Sequence, residues 1–224
     1  MKSNINNSNI YIYGAGGFGR SLISLIYRSI NNKLLQNSNL YFIDDHKSGS
    51  VNNIKIINFQ EFVKISKEER AKIIIAVSEP NIRKQISVNI SSLNCQIISI
   101  NAINSIIDTN LVIGIGSILT DFVYIGTNVK IGKYFHANIF SYVEHDCQIG
   151  DYVTLAPGAK CNGNIIVEDF VYVGSGAIVK QGSSIKPLTI GRGSVIGMGS
   201  VVIDDIPSGV VVAGNPARII KRLS

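Results

Sequence analysis

The sequence predicts a small α/β domain followed by a β-solenoid. Two observations predict this division of the 224 residues. The first part alternates short β-prone runs with helical stretches, an order typical of a parallel sheet flanked by helices. From about residue 111, apolar residues instead recur at every sixth position, and an internal repeat of this kind indicates a solenoid. We therefore place the two domains at residues 1–104 and 105–224.

The α/β part contains β-prone runs and amphipathic stretches in strict alternation. Strands are expected at 9–13, 40–43, 72–77 and 96–100, and helices at about 20–30, 60–66 and 81–89. The segment GAGGFGR joins the first strand to the first helix, and the second strand ends at Asp44-Asp45.

The hexad repeat places apolar or small residues on one line. The line comprises Ile113, Leu119, Ile125, Ile131, Ala137, Val143, Ile149, Leu155, Cys161, Val167, Val173, Val179 and Ile185, and after one dropped residue Ile190, Ile196 and Val202. Three hexads would form one triangular coil, with the recurring residue pointing inward and the next coil stacked on it. Gly often follows the inward residue and is expected to serve the tight corners.

This pattern resembles the hexapeptide-repeat family, whose fold is the left-handed parallel β-helix. The resemblance covers roughly residues 111–217. The fold class it implies is a small Rossmann-like α/β domain followed by a left-handed parallel β-helix.

One stretch, Val143-Glu144-His145-Asp146-Cys147, places three ionisable residues side by side in a coil of modest polarity. A neutral imidazole is a suitable base near neutral pH, and an adjacent carboxylate can hold one tautomer. The segment EHDCQIGDYVTLAPGAKCNG resembles the bacterial sugar-nucleotide acetyltransferases, including N-acetyltransferases of amino sugars and sialic acid O-acetyltransferases. That resemblance implies His145 as general base and Asp146 as its partner. Cys147 is expected to point into the helix.

Many of these N-acetyltransferases carry a second histidine nine residues after the base, where this chain has Thr154. The contact to the thioester oxygen would then come from Thr154 or from a backbone N–H. The β-helix carbonic anhydrases use three histidine ligands for one metal. This chain has three histidines in total, and His46 lies in the other part, so no metal site is expected.

The glycine-rich segment matches G-x-G-x-x-G after a predicted strand and could bind phosphates at a helix start. About 100 residues leave little room for a full NAD-binding fold, so an oxidoreductase is the weaker interpretation. Similarity to the acetyltransferases implies instead that this domain holds the nucleotide of a nucleotide-linked sugar. The implied contacts are Gly14, Gly16 and Gly17 to pyrophosphate or sugar, Asp44 and Asp45 to the base, and Ser78 nearby.

The same resemblance implies acetyl-CoA as co-substrate, lying between two β-helices of a homotrimer. Exposed backbone groups at coil edges would bond its pantetheine, and the residues implied are Thr154, Gly174, Ser175, Gly176, Gly197 and Met198. Transfer would be direct from acetyl-CoA to the amino group of a nucleotide-linked amino sugar. Two alternatives stay open, namely O-acetylation of a sugar such as a sialic acid, and a non-catalytic assembly role.

Composition narrows the functional classes further. The net charge is +6, yet no dense basic run or basic–aromatic motif typical of nucleic-acid binding is present. The N-terminus lacks the apolar core of a signal peptide, and no run approaches the roughly 18 apolar residues of a membrane span. We expect a cytoplasmic protein with free thiols and no membrane partner.

Overall fold

The computed structural model describes residues 9–29 and 39–223, which form two compact units. Of the described residues, the first unit holds those up to Val77 together with Ile82–Ser99, and the second holds Ser78–Asn81 and those from Ile100 onward. The second unit begins at Ile100 because the strand Ile100–Asn101 already pairs with the next coil of the β-helix. The boundary predicted between residues 104 and 105 falls inside this first coil.

The first unit is a six-stranded sheet with helices, and each strand and helix predicted for it is present. Its elements in chain order are β1 (Ile10–Tyr13), α1 (Gly17–Ser29), β2 (Leu40–Ile43), β3 (Ser50–Val51), β4 (Ile54–Ile57), α2 (Phe59–Glu68), β5 (Ala71–Ile75), α3 (Pro80–Ile90) and β6 (Cys95–Ile97). The strand order is β3-β4-β2-β1-β5-β6, and only β3 runs antiparallel to its neighbour. Ile30, predicted to end the first helix, lies outside the described residues.

The β3–β4 hairpin was not predicted from the sequence. Its turn is Asn52-Asn53, and both residues have a positive φ, 51° and 61°. Asparagine tolerates this left-handed conformation and is favoured in two-residue hairpin turns. An Asn-Asn pair between two β-prone runs was therefore a usable signal.

The second unit is the left-handed parallel β-helix, with three sheets as its faces. The first face contains Ile100–Asn101, Ile118–Leu119, His136–Ala137, Thr154–Leu155, Tyr172–Val173, Val195–Ile196, Val210–Gly214 and the antiparallel Ala217–Arg222. The second face contains Ile106–Ile107, Tyr124–Ile125, Tyr142–Val143, Lys160–Cys161, Ile178–Val179 and Val201–Val202. The third face contains Val112–Ile113, Lys130–Ile131, Gln148–Ile149, Ile165–Val167 and Leu188–Ile190. The predicted fold class is confirmed.

The hexad line forms the core of the β-helix, with one exception. Residues such as Leu155 and Val179 are fully buried. Ile185, predicted on the same line, is instead 95% exposed. The prediction was wrong there because a loop interrupts the coil after Val179, and Val167 pairs with Ile190 rather than with Ile185. The register then continues inward through Ile190.

Glycine serves some of the corners through its conformational freedom, as predicted, and other residues serve the rest. The glycines with a positive φ at corners are Gly116, Gly158, Gly176, Gly193 and Gly199. The left-handed corner position is often occupied by Asn, Asp or an aromatic residue. The glycine after the inward residue serves close packing instead, since a Cβ on Gly174 would lie 2.6 Å from the backbone nitrogen of Met198. Within the described residues, no helix is both long enough and apolar enough to span a membrane.

Candidate active site

His145 and Asp146 lie in the turn that follows the strand Tyr142–Val143, at the corner between the second and third faces. Asp146 has a left-handed φ of 59°. The equivalent turn positions of the preceding and following coils are Asn128 and Asn164, with φ of 58° and 56°. Asp146 therefore occupies a backbone position that asparagine fills in neighbouring coils, and this fixed conformation directs its carboxylate.

The carboxylate of Asp146 has a partner on each oxygen. Its Oδ2 lies 2.8 Å from Nδ1 of His145, and its Oδ1 accepts a hydrogen bond from Nδ2 of Asn128 at 3.1 Å. The bonds from His145 and Asn128 hold the pKa of the Asp146 carboxyl below its ordinary value. The group is therefore an ionised acceptor at neutral pH, so Nδ1 carries the proton in the neutral ring.

This tautomer leaves Nε2 of His145 as a proton acceptor. The His145 side chain is 42% exposed, so a substrate has access to the ring. The arrangement is that of a general base held by a carboxylate.

Cys147 follows this pair but is unsuited to nucleophilic chemistry. Its side chain is fully buried, as predicted, and its Sγ donates to the carbonyl oxygen of Asn162 at 3.2 Å. Burial raises the pKa of the thiol to about 11, which leaves almost no thiolate at neutral pH.

Thr154 has a different environment from the one predicted. It lies on the first face, is fully buried, and its hydroxyl donates to the carbonyl oxygen of Ser78 at 2.9 Å. A contact from this hydroxyl to the thioester of acetyl-CoA does not fit this geometry, because the proton is already donated within the chain. Ser78 belongs to the same compact unit as Thr154, and it contributes its backbone oxygen to this bond.

The other residues predicted to bind acetyl-CoA share the corner between the first and second faces on successive coils. Three of their N–H groups are used in coil stacking: Gly174, Gly176 and Gly197 donate to the carbonyls of Ile196, Pro157 and Val212. Ser175, Gly176 and Met198 are exposed at this corner, and Met198 is 81% exposed.

The glycines of the glycine-rich loop in the first unit fall into two groups, those that the backbone requires and those that face open space. Gly14 has a φ of 106°, and a Cβ on Gly19 would collide with the carbonyl oxygen of Gly14. A Cβ on Gly16 or Gly17 would meet no atom within 4 Å, so nothing in the described chain requires glycine there. Open space at the start of α1 suits the approach of a ligand to backbone N–H groups.

The predicted base-binding residues Asp44 and Asp45 are engaged with backbone groups. Asp44 accepts from the N–H of Ala15 and from the N–H of His46, each at 3.0 Å. Asp45 accepts from the N–H of Phe59 at the start of α2, at 2.8 Å. Asp44 thus fixes the glycine-rich loop rather than presenting an unengaged carboxylate.

Comparison with known proteins decides the family. The chain is 44% identical over 216 residues to GDP-perosamine N-acetyltransferase of Escherichia coli O157:H7, a match that covers 96% of this chain and 97% of the relative. This chain belongs to the sugar-nucleotide acetyltransferases. The predictions that it is an enzyme and a sugar N-acetyltransferase are confirmed.

Solved structures share its fold. WeeI from Acinetobacter baumannii AYE superposes with a TM-score of 0.89 at 42% identity, covering 95% of this chain and all of that one. The acetyltransferase domain of PglB from Neisseria gonorrhoeae FA1090, solved with acetyl coenzyme A, gives a TM-score of 0.84 at 28% identity. This match covers 96% of this chain and 100% of the PglB domain. Residues 9–90 match the PglD N-terminal domain family.

Sequence reasoning missed two residues that adjoin the His145–Asp146 pair: Asn128, which bonds Asp146, and Gly163, whose Cα faces the His145 ring. Each occupies a turn one coil away from the His145–Asp146 turn, since residues paired between coils here are 18 positions apart. The available signal was this interval, which aligns Asn128 with Asp146 and Gly163 with His145.

Proposed function

We propose that this acetyltransferase moves the acetyl group of acetyl-CoA directly to the amino group of a nucleotide-linked amino sugar. The observation that carries the proposal is the bond between His145 Nδ1 and Asp146 Oδ2, which leaves Nε2 as the base. Nε2 accepts a proton from the amine as its nitrogen attacks the thioester carbon. The N–C bond forms, the C–S bond breaks, and the imidazolium returns the proton to the CoA thiolate.

The general base and the positioning of the two substrates make separate contributions to the rate. A positioned general base contributes about 10²–10⁴-fold to the rate. Binding both substrates in one site contributes further, because two separate molecules become held in reactive geometry. No acyl-enzyme is required, and the buried, protonated thiol of Cys147 supports direct transfer.

The acceptor is proposed to bind through its diphosphate at the glycine-rich loop of the first unit. The open positions Gly16 and Gly17 at the start of α1 support this, because backbone N–H groups at a helix start attract anions. Asp44 is proposed to act by holding this loop in place.

GDP-perosamine is the first acceptor to test, because the relative that matches 96% of the chain is named for it. We propose an amine rather than a hydroxyl group as the acceptor, because the match to an N-acetyltransferase extends over both units and not over the β-helix alone. We propose the cytoplasm as the compartment, as expected from the sequence.

We propose a homotrimer whose active sites lie between subunits. Exposed apolar side chains follow the corner between the first and second faces, where Ile103, Phe122, Phe140 and Met198 are 75%, 53%, 60% and 81% exposed. An apolar ridge of this kind favours burial against another copy of the chain. His145 lies at the opposite edge of the second face. In the proposed trimer, the corner that carries His145 in one subunit would face the apolar corner of the next subunit. Acetyl-CoA would bind in the groove between these two corners.

The test incubates the purified protein with acetyl-CoA and GDP-perosamine, with thiol release and product mass as readouts. UDP- and dTDP-linked 4-amino sugars and the corresponding 4-hydroxy sugar nucleotides are run in parallel. N-acetylation of one amino sugar is expected, with kcat reduced about 100-fold or more in His145→Ala. Thr109→Ala, which changes the same turn position two coils earlier, is expected to retain wild-type kcat.

The outcomes separate the possibilities. Wild-type turnover by His145→Ala would remove this residue as the base. Acetylation of the hydroxy sugars alone would replace the proposal by O-transfer, and no transfer to any acceptor would reject both. Light scattering that gives the mass of the 24.3 kDa monomer would reject the shared site.

A further inference from the structure

Gly163 occupies the turn position directly after His145 in the stack of coils, because Val143 and Cys161 pair at the preceding strand. The backbone around it is fixed on both sides. The N–H of Asn164 donates to the carbonyl oxygen of His145, and the N–H of Gly182 donates to the carbonyl oxygen of Gly163, each at 3.0 Å. Gly163 is buried within the stack of coils.

The imidazole of His145 lies in the space that a side chain at position 163 would fill. A Cβ there would stand 2.5 Å from Cε1, 2.6 Å from Nε2 and 3.0 Å from Nδ1. All three contacts are ring atoms of His145. Among the described glycines for which close contacts are found, this is the one whose three nearest atoms belong to a single side chain.

Backbone conformation does not explain this glycine. Its φ lies outside the left-handed region, so an alanine would be compatible with the backbone. A Cβ on the corner glycine Gly126 would instead press on backbone atoms of Glu144 and His145. At Gly163 the obstacle is a side chain, and it is 42% exposed, so the ring has solvent into which it can be displaced.

We propose that Gly163 is a positioning residue for the general base. Its missing side chain gives the imidazole a flat surface, and the ring lying there directs Nδ1 to Asp146 and Nε2 to the substrate. The proposal rests on the proposed role of His145. Its consequence is that one methyl group displaces the base while the stacked coils stay intact.

The test compares Gly163→Ala with Gly150→Ala, a corner glycine away from His145. A Cβ on Gly150 would stand 2.5 Å from Oδ1 and 2.6 Å from the backbone nitrogen of Asp169. Gly163→Ala is expected to keep the wild-type thermal midpoint and to lose about 100-fold in kcat, with both KM values within about threefold. Gly150→Ala is expected to lower the thermal midpoint, because backbone must shift, and to keep kcat within about threefold.

A spectroscopic readout tests the ring itself without any substrate. The chain has three histidines, so ¹⁵N-histidine spectra are simple to assign with His145→Ala. Wild-type His145 is expected as the Nδ1–H tautomer, and Gly163→Ala is expected to lose that tautomer preference. If the wild type transfers no acetyl group, the proposed function fails, and the tautomer comparison still decides whether Gly163 positions the ring.

Three results would overturn the inference. The first is an unchanged tautomer together with kcat near the wild-type value in Gly163→Ala. The second is a loss of kcat that follows a matching loss of folded protein. The third comes from a His145→Ala background, where the ring is gone. Replacing Gly163 by Ala is expected to change neither the thermal midpoint nor the residual rate there, and a further loss of either would count against the inference.

Discussion

Nδ2 of Asn128 donates a hydrogen bond to Oδ1 of Asp146 at 3.1 Å, across one complete coil of the β-helix. The other oxygen of the same carboxylate holds Nδ1 of His145. Asn128, Asp146 and His145 therefore form one hydrogen-bonded unit across two coils. Asn128 orients the carboxylate, and the carboxylate orients the imidazole. The rigidity of the stacked coils fixes the distance between the two turns.

Replacing Asn128 by Gly is expected to weaken this unit without straining the backbone, because Gly accepts the left-handed φ of 58°. His145 and Asn128 both lower the pKa of Asp146, so losing the Asn128 bond raises that pKa. The carboxylate then protonates at a higher pH. We expect kcat at neutral pH to fall about fivefold, because the carboxylate keeps only one of the two bonds that orient it.

The measurements are kcat at neutral pH and the titration of the Asp146 carboxyl followed by ¹³C NMR, with Asn110→Gly as the matched control. Asn110 also has a left-handed φ, 54°, at the same corner one coil before Asn128. An Asp146 carboxyl that titrates at the same pH in both variants would contradict an electrostatic role for the Asn128 side chain.

Replacing Cys147 by Ala is expected to leave kcat within about threefold of the wild type, because its buried thiol has a pKa of about 11. The free energy of unfolding should fall by about 1 kcal/mol through lost packing. Iodoacetamide at pH 8 should modify neither Cys147 nor the fully buried Cys161 of the folded protein. A variant that folds but loses kcat by 100-fold or more would instead favour a covalent acyl-enzyme.

Two residues of the same hexad line, Leu155 and Ile185, are expected to respond oppositely to truncation. Leu155 is fully buried, and Leu155→Ala should lower the free energy of unfolding by about 2–5 kcal/mol. Ile185 is 95% exposed, and Ile185→Ala should change it by less than about 0.5 kcal/mol. Urea denaturation at one protein concentration measures both, and a large loss in Ile185→Ala would indicate that an assembly covers this side chain.

The contrast between Leu155 and Ile185 shows how far a repeat predicts the fold. The six-residue period identifies the coils because each inward position must be apolar, and Leu155 satisfies that requirement by burial. Ile185 also matches the period, but the loop between Val179 and Leu188 leaves the coil, and hydrophobicity alone does not reveal a loop. The pairing of Val167 with Ile190 is what restores the register.

The site was predictable only where its residues adjoin in the sequence. His145 and Asp146 are neighbours and interrupt a repeat of small and apolar residues, so their pairing could be proposed at once. Asn128 and Gly163 contribute through space from neighbouring coils. Thr154 was assigned by analogy with a histidine in relatives, and only its burial and its bond to a backbone oxygen reveal the difference.

Asp44 is expected to control binding of the sugar nucleotide through the glycine-rich loop. Its carboxylate joins the N–H groups of Ala15 and His46, so Asp44→Ala frees the loop from the end of β2. We expect the KM for the sugar nucleotide to rise about tenfold, the equivalent of about 1.4 kcal/mol for bonds to a charged group, with an unchanged KM for acetyl-CoA.

Asn58→Ala is the matched control, because it removes one bond to the N–H of Glu61 at the start of α2. That variant should lose about 1 kcal/mol of stability and keep both KM values. Equal changes in the two KM values of Asp44→Ala would show a general loss of structure instead.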